Sequence, residues 1–170
     1  VDGLTQERLA PILVGVFVNE ALEQVQQVMA DCALDLAQLH GKESGEAFQA
    51  LAPQAYKTLQ PHNLDDARGS IDRYRMGLSG NTPAFMIDGA PQKLPGGNGA
   101  CADWNIARGI ARDFPILLAG GLTVDNVAEA IEIVQPWGVD VSSGVERAPG
   151  LKDHAKVRQF IDRVKAYRVE

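Results

Sequence analysis

The sequence has little cysteine, little basic charge and no long hydrophobic run. Only 2 of its 170 residues are cysteine, and 16 Lys and Arg stand against 22 Asp and Glu, so the formal net charge is −6. An acidic chain without a basic stripe argues against a nucleic-acid partner. No apolar run approaches the roughly 18 residues that a membrane-spanning helix needs. Cys32 and Cys101 are too far apart in sequence for a metal pair, and they look like reduced thiols of a cytoplasmic protein.

The sequence does contain short apolar runs that alternate with longer amphipathic stretches. Hydrophobic residues make up 45% of the chain, which is enough for one domain with a core. We find no linker or low-complexity tract, and therefore expect residues 1–170 to form a single domain. The predicted strands cover residues 12–18, 34–40, 55–59, 84–88, 115–120 and 138–143, and the predicted helices cover residues 19–32, 43–51, 64–75, 104–112, 124–134 and 153–167.

Six strands that alternate with six helices predict parallel βα units. Two architectures fit this alternation, an open doubly wound sheet and a closed barrel. In both, ligands bind beyond the carboxyl ends of the strands. The residues that follow each predicted strand are therefore the first place to look for a functional site.

The last two predicted strands are followed by loops of small residues. Gly120 and Gly121 follow the fifth strand, with Thr123 placed to cap the next helix, and Ser142, Ser143 and Gly144 follow the sixth. Glycines let an anion approach the backbone, and a helix start offers N–H donors. A tight turn at Gly121 and a helix cap at Ser143 are the simpler interpretation of either loop alone. Together, the two loops favour a phosphate site.

Four further residues that can carry chemistry lie in predicted strands or at their ends. Asp88 ends the fourth strand, where a protonated carboxyl group can serve as a proton donor, or the carboxylate can simply cap the next turn. Gln38 and His40 lie on the same side of the second strand, which would face a barrel interior. A lone histidine is more often structural than catalytic. Lys57 in the third strand is ambiguous in the same way.

Five stretches together resemble the phosphoribosylanthranilate isomerase family of (β/α)8-barrel enzymes. They occur in the family's order and at roughly its spacing, and they cover almost the whole chain. The stretches are VGVFVN (14–19), LAQLHG (36–41), GGNGACADW (96–104), LLAGGLTVDNVAEAI (117–131) and GVDVSSGVERAPGLKD (138–153).

The resemblance implies an isomerase of tryptophan biosynthesis that uses no metal and no cofactor. Its substrate is a phosphorylated sugar joined to anthranilate, which undergoes an Amadori rearrangement, an aldose–ketose conversion classed as an intramolecular oxidoreduction. Asp88 matches the family's general acid. Gly121, Ser143 and Gly144 match positions whose backbone holds the phosphate.

The sequence departs from the family at its beginning. The family's general base is a cysteine in a Lys-Ile-Cys-Gly stretch on the first strand, and these 170 residues contain no such stretch. The chain aligns from the approach to the family's third strand, so we expect six of the eight βα units and no turnover by this polypeptide. Cys32 precedes a strand, at the wrong end for catalysis. Cys101 follows a strand but lacks an activating cation nearby, because Ala100 replaces the family's lysine.

These departures leave alternatives open. One is a non-catalytic relative that binds a sugar phosphate or partners another subunit. Another phosphate-binding barrel enzyme, such as a relative of indoleglycerol-phosphate synthase, fits less well. An incomplete barrel would also expose two edge strands, at residues 12–18 and 139–142, which predicts self-association through these edges.

Overall fold

Six parallel strands form the central sheet of the protein. The structure, a computed structural model, describes residues 11–74, 83, 85–89 and 102–167. The strands are β1 (Val14–Phe17), β2 (Leu36–Leu39), β3 (Ala55–Leu59), β4 (Phe85–Ile87), β5 (Ile116–Leu118) and β6 (Gly138–Val139).

The order of the strands decides between the two predicted architectures. Each strand pairs in parallel with the next along the chain, from β1 through to β6. A doubly wound sheet would show a reversal in strand order, and this sheet has none. The described strands therefore form part of a barrel wall, and the predicted membership of the (β/α)8-barrel class is confirmed.

Six helices connect and follow the strands, as predicted, although most are shorter than the sequence pattern indicated. Three begin at side-chain caps: Ser44, Asp103 and Asp153 each accept a hydrogen bond from a backbone N–H of the first turn. No helix in the described part of the chain is long and apolar enough to cross a membrane. The helices are α1 (Leu22–Asp31), α2 (Gly45–Leu51), α3 (Leu64–Tyr74), α4 (Trp104–Ala111), α5 (Val127–Val134) and α6 (His154–Ala166).

Two predicted helix starts are wrong. Asn19 has a positive φ of 58°, and its side chain accepts a hydrogen bond from Lys42 N at 2.6 Å, so it joins two loops instead of capping α1. Thr123 precedes a turn, and α5 begins only at Val127. The Thr123 hydroxyl accepts from Asp125 N within that turn. In both cases a short polar side chain bonds to the backbone of a loop instead of capping a helix. Such residues favour both roles, and the sequence pattern does not decide between them.

The region after β5 also differs from the prediction. Strand β6 has two residues instead of the six that were expected, so the second predicted edge is short. A 3₁₀ turn (Ser143–Val145) follows, and then an antiparallel hairpin of β7 (Glu146–Ala148) and β8 (Leu151–Lys152), which the sequence analysis did not predict. The hairpin is too short to carry a clear alternating pattern.

Strands β2 to β5 are largely buried on both faces, and alternate residues meet different surroundings. On the helix side, the large buried side chains include Phe85, Ile87 and Leu118. On the opposite, concave side, Tyr56, Met86 and Ala119 form a smaller cluster. This alternation assigns each strand residue to the core between sheet and helices or to the interior of the barrel.

Candidate active site

A cavity of about 250 Å³ lies at the carboxyl ends of the strands. It contains every residue that the sequence analysis placed in the site, although these come from four separate strands and their loops. The structure thus brings the predicted acid and both predicted phosphate loops to one place. The lining residues are Gln38, His40, Met86, Asp88, Ala119, Gly120, Gly121, Leu122, Asp140, Val141, Ser142, Ser143 and Gly144.

Gln38 forms the floor of the cavity and is held from several sides. Its Nε2 donates to Thr58 Oγ1 at 2.9 Å and lies 3.3 Å from His40 Nδ1, and its Oε1 accepts from the Tyr56 hydroxyl at 3.2 Å. Burial, and secondarily the negative charge of Asp140, raise the pKa of Tyr56 to about 12. The phenol therefore stays protonated, and it remains a donor to Gln38 at neutral pH.

Asp88 lies just beyond β4, beside His40. Asp88 Oδ2 is 3.6 Å from His40 Nε2 and accepts a hydrogen bond from Gln60 Nε2 at 3.3 Å. Its Oδ1 accepts from Gly89 N at 2.8 Å, so the carboxylate also caps the following turn. Both interpretations of Asp88 from the sequence are therefore compatible with its geometry: it faces the cavity, and it orders its own loop.

The glycines of the two loops do more than leave room for a ligand. A Cβ on Gly120, which has a φ of 85°, would collide with Gly89 N and lie 2.9 Å from Asp88 Oδ1. A Cβ on Gly144 would collide with the carbonyl oxygen of Leu122. Glycine at 120 thus lets the end of β5 approach Asp88, and glycine at 144 lets the two loops pack against each other.

The loop after β5 is also held by an asparagine that the sequence analysis did not single out. Asn126 Oδ1 accepts from Thr123 N at 2.8 Å, and Asn126 Nδ2 donates to the Gly121 carbonyl at 3.0 Å. Gly121 itself has a φ of 67°, a conformation that disfavours other side chains. These contacts fix the backbone of the loop at the cavity wall.

Asp140 is the main site residue that sequence reasoning missed. It follows β6, and its pKa is raised by burial and then by the nearby Asp88 carboxylate, with Lys152 and His40 opposing. Much of its side chain still faces solvent, so screening limits these effects. The sequence did contain a signal for it, because Asp140 is an acidic residue inside the run GVDVSS. It stands two positions before Ser142, so both side chains are expected on the same face of the strand.

Lys57 lies on the helix side of the sheet, away from the cavity, which resolves its ambiguity. Its Nζ is 3.2 Å from Glu43 Oε2 and donates to the carbonyls of Leu39, Gly41 and Thr58 at 2.8–3.0 Å. Residue 43 was predicted to begin a helix, but it is a buried partner of Lys57. Lys57 is therefore a structural lysine.

Of the two cysteines, Cys32 lies within the described residues and Cys101 does not. Cys32 is exposed at the end of α1, before β2, and so lies at the opposite end of the strands from the cavity. The glycine-rich loop of residues 95–104 lies largely outside the described residues, and Cys101 lies outside them entirely. Within the described ranges, no group of three His, Cys, Asp or Glu side chains could hold a metal ion.

A family model described as N-(5'-phosphoribosyl)anthranilate (PRA) isomerase matches residues 4–163. The chain belongs to this family. A phosphoribosylanthranilate isomerase from Syntrophus aciditrophicus is 43% identical over 164 residues, which cover 95% of this chain and 68% of the relative. The match includes both small-residue loops and the strand that leads to Asp88.

Solved structures of phosphoribosylanthranilate isomerases show the same fold. The enzyme from Thermotoga maritima matches with a TM-score of 0.75 and 35% identity, over 90% of this chain and 72% of that one. A phosphoribosylanthranilate isomerase in complex with reduced 1-(o-carboxyphenylamino)-1-deoxyribulose 5-phosphate matches with a TM-score of 0.75 and 32% identity, over 94% of this chain and 75% of that one. This chain therefore spans about seven tenths of the length of these relatives.

Proposed function

We propose that this protein acts on N-(5'-phosphoribosyl)anthranilate as an isomerase of tryptophan biosynthesis. One observation carries the proposal: Asp88 faces the same cavity as the loops at 120–121 and 142–144, in a chain of the isomerase family. The loops would bind the substrate phosphate through backbone donors, as anions bind at helix starts and in glycine-rich loops. The carboxyl group of Asp88 would then lie near the sugar.

The reaction is an aldose–ketose isomerisation without a cofactor or metal. Asp88 protonates the ribose ring oxygen as the bond from C1 to that oxygen breaks, and the anthranilate nitrogen supplies the electrons. A base then removes the proton from C2, and the enolamine that results tautomerises to the ketone. C1 is reduced and C2 is oxidised within one molecule, so the class is an intramolecular oxidoreductase. No outside oxidant or reductant is needed.

The general base is the part of the mechanism that these 170 residues do not supply in the family's form. They contain no Lys-Ile-Cys-Gly stretch, and Cys32 is remote from the cavity. We therefore propose that this polypeptide by itself binds the phosphorylated substrate but does not turn it over. Asp88 and the two loops are the parts of the site that it contributes.

Binding measurements test the phosphate site. We expect inorganic phosphate and reduced 1-(o-carboxyphenylamino)-1-deoxyribulose 5-phosphate to bind in isothermal titration calorimetry. Gly121→Val should weaken both at least about tenfold, because it crowds the backbone donors. Asp88→Asn is the matched control and should keep the phosphate affinity. Absence of binding to the unaltered protein would refute the phosphate site.

Turnover measurements test the acid. The polypeptide should show no isomerisation above the uncatalysed rate. In an isomerase that includes the family's base, Asp88→Asn should lower kcat about 10²- to 10⁴-fold with little change in affinity. An unchanged kcat would show that Asp88 is not the acid. Binding without turnover even in the presence of the base would instead favour the alternative, a non-catalytic sugar-phosphate-binding relative.

Self-association through the edge of the sheet is a further proposal, supported by the exposure of β1. Ile12, Val16 and Val18 are 65%, 60% and 55% exposed along this edge, and unpaired apolar strands invite pairing with another chain. We expect dimers or larger species in analytical ultracentrifugation, and Val16→Lys should reduce them. A monomer at high concentration would contradict the proposal. The predicted cytoplasmic location stays a prediction.

A further inference from the structure

Lys152, at the end of β8, ties the loop after β6 to the hairpin. Its Nζ donates to the Ser142 carbonyl at 2.8 Å and lies 3.3 Å from Ser142 Oγ. The same ammonium group is 3.0 Å from Glu146 Oε1 on β7. Lys152 therefore connects a wall residue of the cavity to a strand that lies outside the cavity.

Ser142, which Lys152 contacts, lies outside regular strand and helix structure. Strand β6 ends at Val139, and Ser142 has φ −118° and ψ −85°, outside both strand and helix geometry. Within the chain, the Ser142 carbonyl also faces Val145 N, but at 3.5 Å, which is long for a hydrogen bond. The contact with Lys152 is shorter and charge-assisted, and such bonds are the stronger ones.

The charge of Lys152 also acts on Asp140, which lines the cavity. It lowers the pKa of Asp140, against the effects of burial and of Asp88. The whole chain carries a net charge of −6, so an anionic ligand must be held by local groups, and positive charge near the backbone donors would strengthen its binding. A cation that touches the loop is placed to supply it.

We propose that Lys152 is the positioning residue of the phosphate loop, which holds residues 142–144 in the conformation that receives a phosphate group and adds positive charge beside it. This inference rests on the proposed function, because it assigns a role within the same site. It adds a residue from outside the cavity lining, on an element that the sequence did not predict.

Lys156 offers a matched control. It lies one turn further along, on α6, and its Nζ donates to the Glu146 carbonyl at 3.0 Å. It therefore carries the same charge, is exposed and contacts the same hairpin. Its ammonium group donates to the Glu146 carbonyl instead of to Ser142. Any effect of general charge or of hairpin stability should appear in both lysine variants.

The experiment compares the affinity for inorganic phosphate of the unaltered protein, Lys152→Met and Lys156→Met by isothermal titration calorimetry at low salt. We expect Lys152→Met to weaken binding about tenfold or more, the effect of losing a charge-assisted contact, and Lys156→Met to weaken it less than about twofold. Lys152→Arg, which keeps charge and donors, should recover most of the affinity. Lys152→Gln replaces the Met variant if that variant does not fold, with the same expected loss.

Salt dependence separates positioning from charge alone. If Lys152 acts only through its charge, both methionine variants lose similar affinity, and their difference from the unaltered protein disappears in high salt, which would overturn the positioning role. If Lys152 positions the loop, its variant stays weaker at high salt, and the Ser142–Gly144 amide resonances shift. Equal affinities for Lys152→Met and the unaltered protein would overturn the inference and leave the phosphate site intact. No phosphate binding by the unaltered protein would overturn the proposed function itself.

Discussion

Two Lys–Glu pairs hold loops at the same end of the sheet, in opposite surroundings. The side chains of Lys57 and Glu43 are 2% and 3% exposed, whereas those of Lys152 and Glu146 are 43% and 16% exposed. Lys57 also donates to three backbone carbonyls, and Lys152 donates to the carbonyl of Ser142. Because a buried charge is costly when it loses its partner and an exposed charge is not, the first pair should govern folding. The second pair can change with little effect on folding and should govern the loop at the cavity.

The pKa shifts of the two pairs have different causes. Burial lowers the pKa of Lys57, and Glu43 opposes this. Burial also raises the pKa of Glu43, but backbone N–H groups, Asn19 first, and then Lys57 outweigh it, so the pKa is lowered overall. At the exposed pair, the hydrogen bond from Lys152 is the main cause that lowers the pKa of Glu146. Burial is the largest single cause acting on both pKa values of the first pair, whereas a direct contact is the largest cause acting on the pKa of Glu146.

The largest expected effect is from Lys57→Met. The substitution leaves the Glu43 carboxylate and three backbone carbonyls without their buried donor, and breaking a buried pair in this way costs about 3–5 kcal/mol. Urea unfolding should show this loss, while Lys165→Met on the exposed side of α6 should stay within about 0.5 kcal/mol of the unaltered protein. A loss below about 1 kcal/mol would show that the buried pair matters no more than an exposed one.

Gly144→Ala should have the next largest effect, on the second region. The added Cβ would collide with the Leu122 carbonyl, and overpacking of this kind costs about 1–3 kcal/mol. We expect weaker phosphate binding in addition to the loss of stability, since the collision separates the two loops. Calorimetry and urea unfolding on the same sample measure both quantities. Retained affinity together with retained stability would mean that the loops adjust freely.

Acid should weaken the buried pair by a smaller amount. The folded-state pKa of Glu43 is lowered, so its contribution is complete above the ordinary carboxyl value of 4.5 and is lost as the pH falls through the lower folded-state value. The free energy of unfolding should therefore fall more steeply between about pH 5 and 3 in the unaltered protein than in Glu43→Gln. Parallel curves for the two proteins would contradict the assigned shift.

The smallest expected effect is a gain. Gly69 lies on the exposed side of α3, and a Cβ there meets nothing within 4 Å. Gly69→Ala should therefore stabilise the protein by about 0.5–1 kcal/mol through helix propensity and a restricted unfolded chain. Thermal unfolding checks the sign. A loss of stability would show that open space around a glycine is not enough to predict the outcome, and would weaken the contrast with Gly144.

Much of the fold could be predicted because it depends on local pattern. Apolar runs and helical spacing predicted the strands of the central sheet and the helices in the part of the chain that the structure describes. The pattern failed where short polar side chains serve loops, at Asn19 and Thr123, because the same residue types favour caps and turns alike. It also missed the hairpin at 146–152, whose strands have only three and two residues.

The sequence by itself determined the alternation of strands and helices, and it determined which residues stand at strand ends, because both follow from the order of residues along one chain. Only the tertiary structure decided that the strands pair in sequential order, that Gly144 touches Leu122, and that Lys57 meets Glu43 while Lys152 meets Ser142. These contacts join residues that are distant in sequence. Lys152 and Ser142 are 10 positions apart, and Gly144 and Leu122 are 22 positions apart. Burial and distance arise only when separate segments pack, so no local pattern distinguishes a buried lysine such as Lys57 from one that contacts a loop of the cavity, such as Lys152.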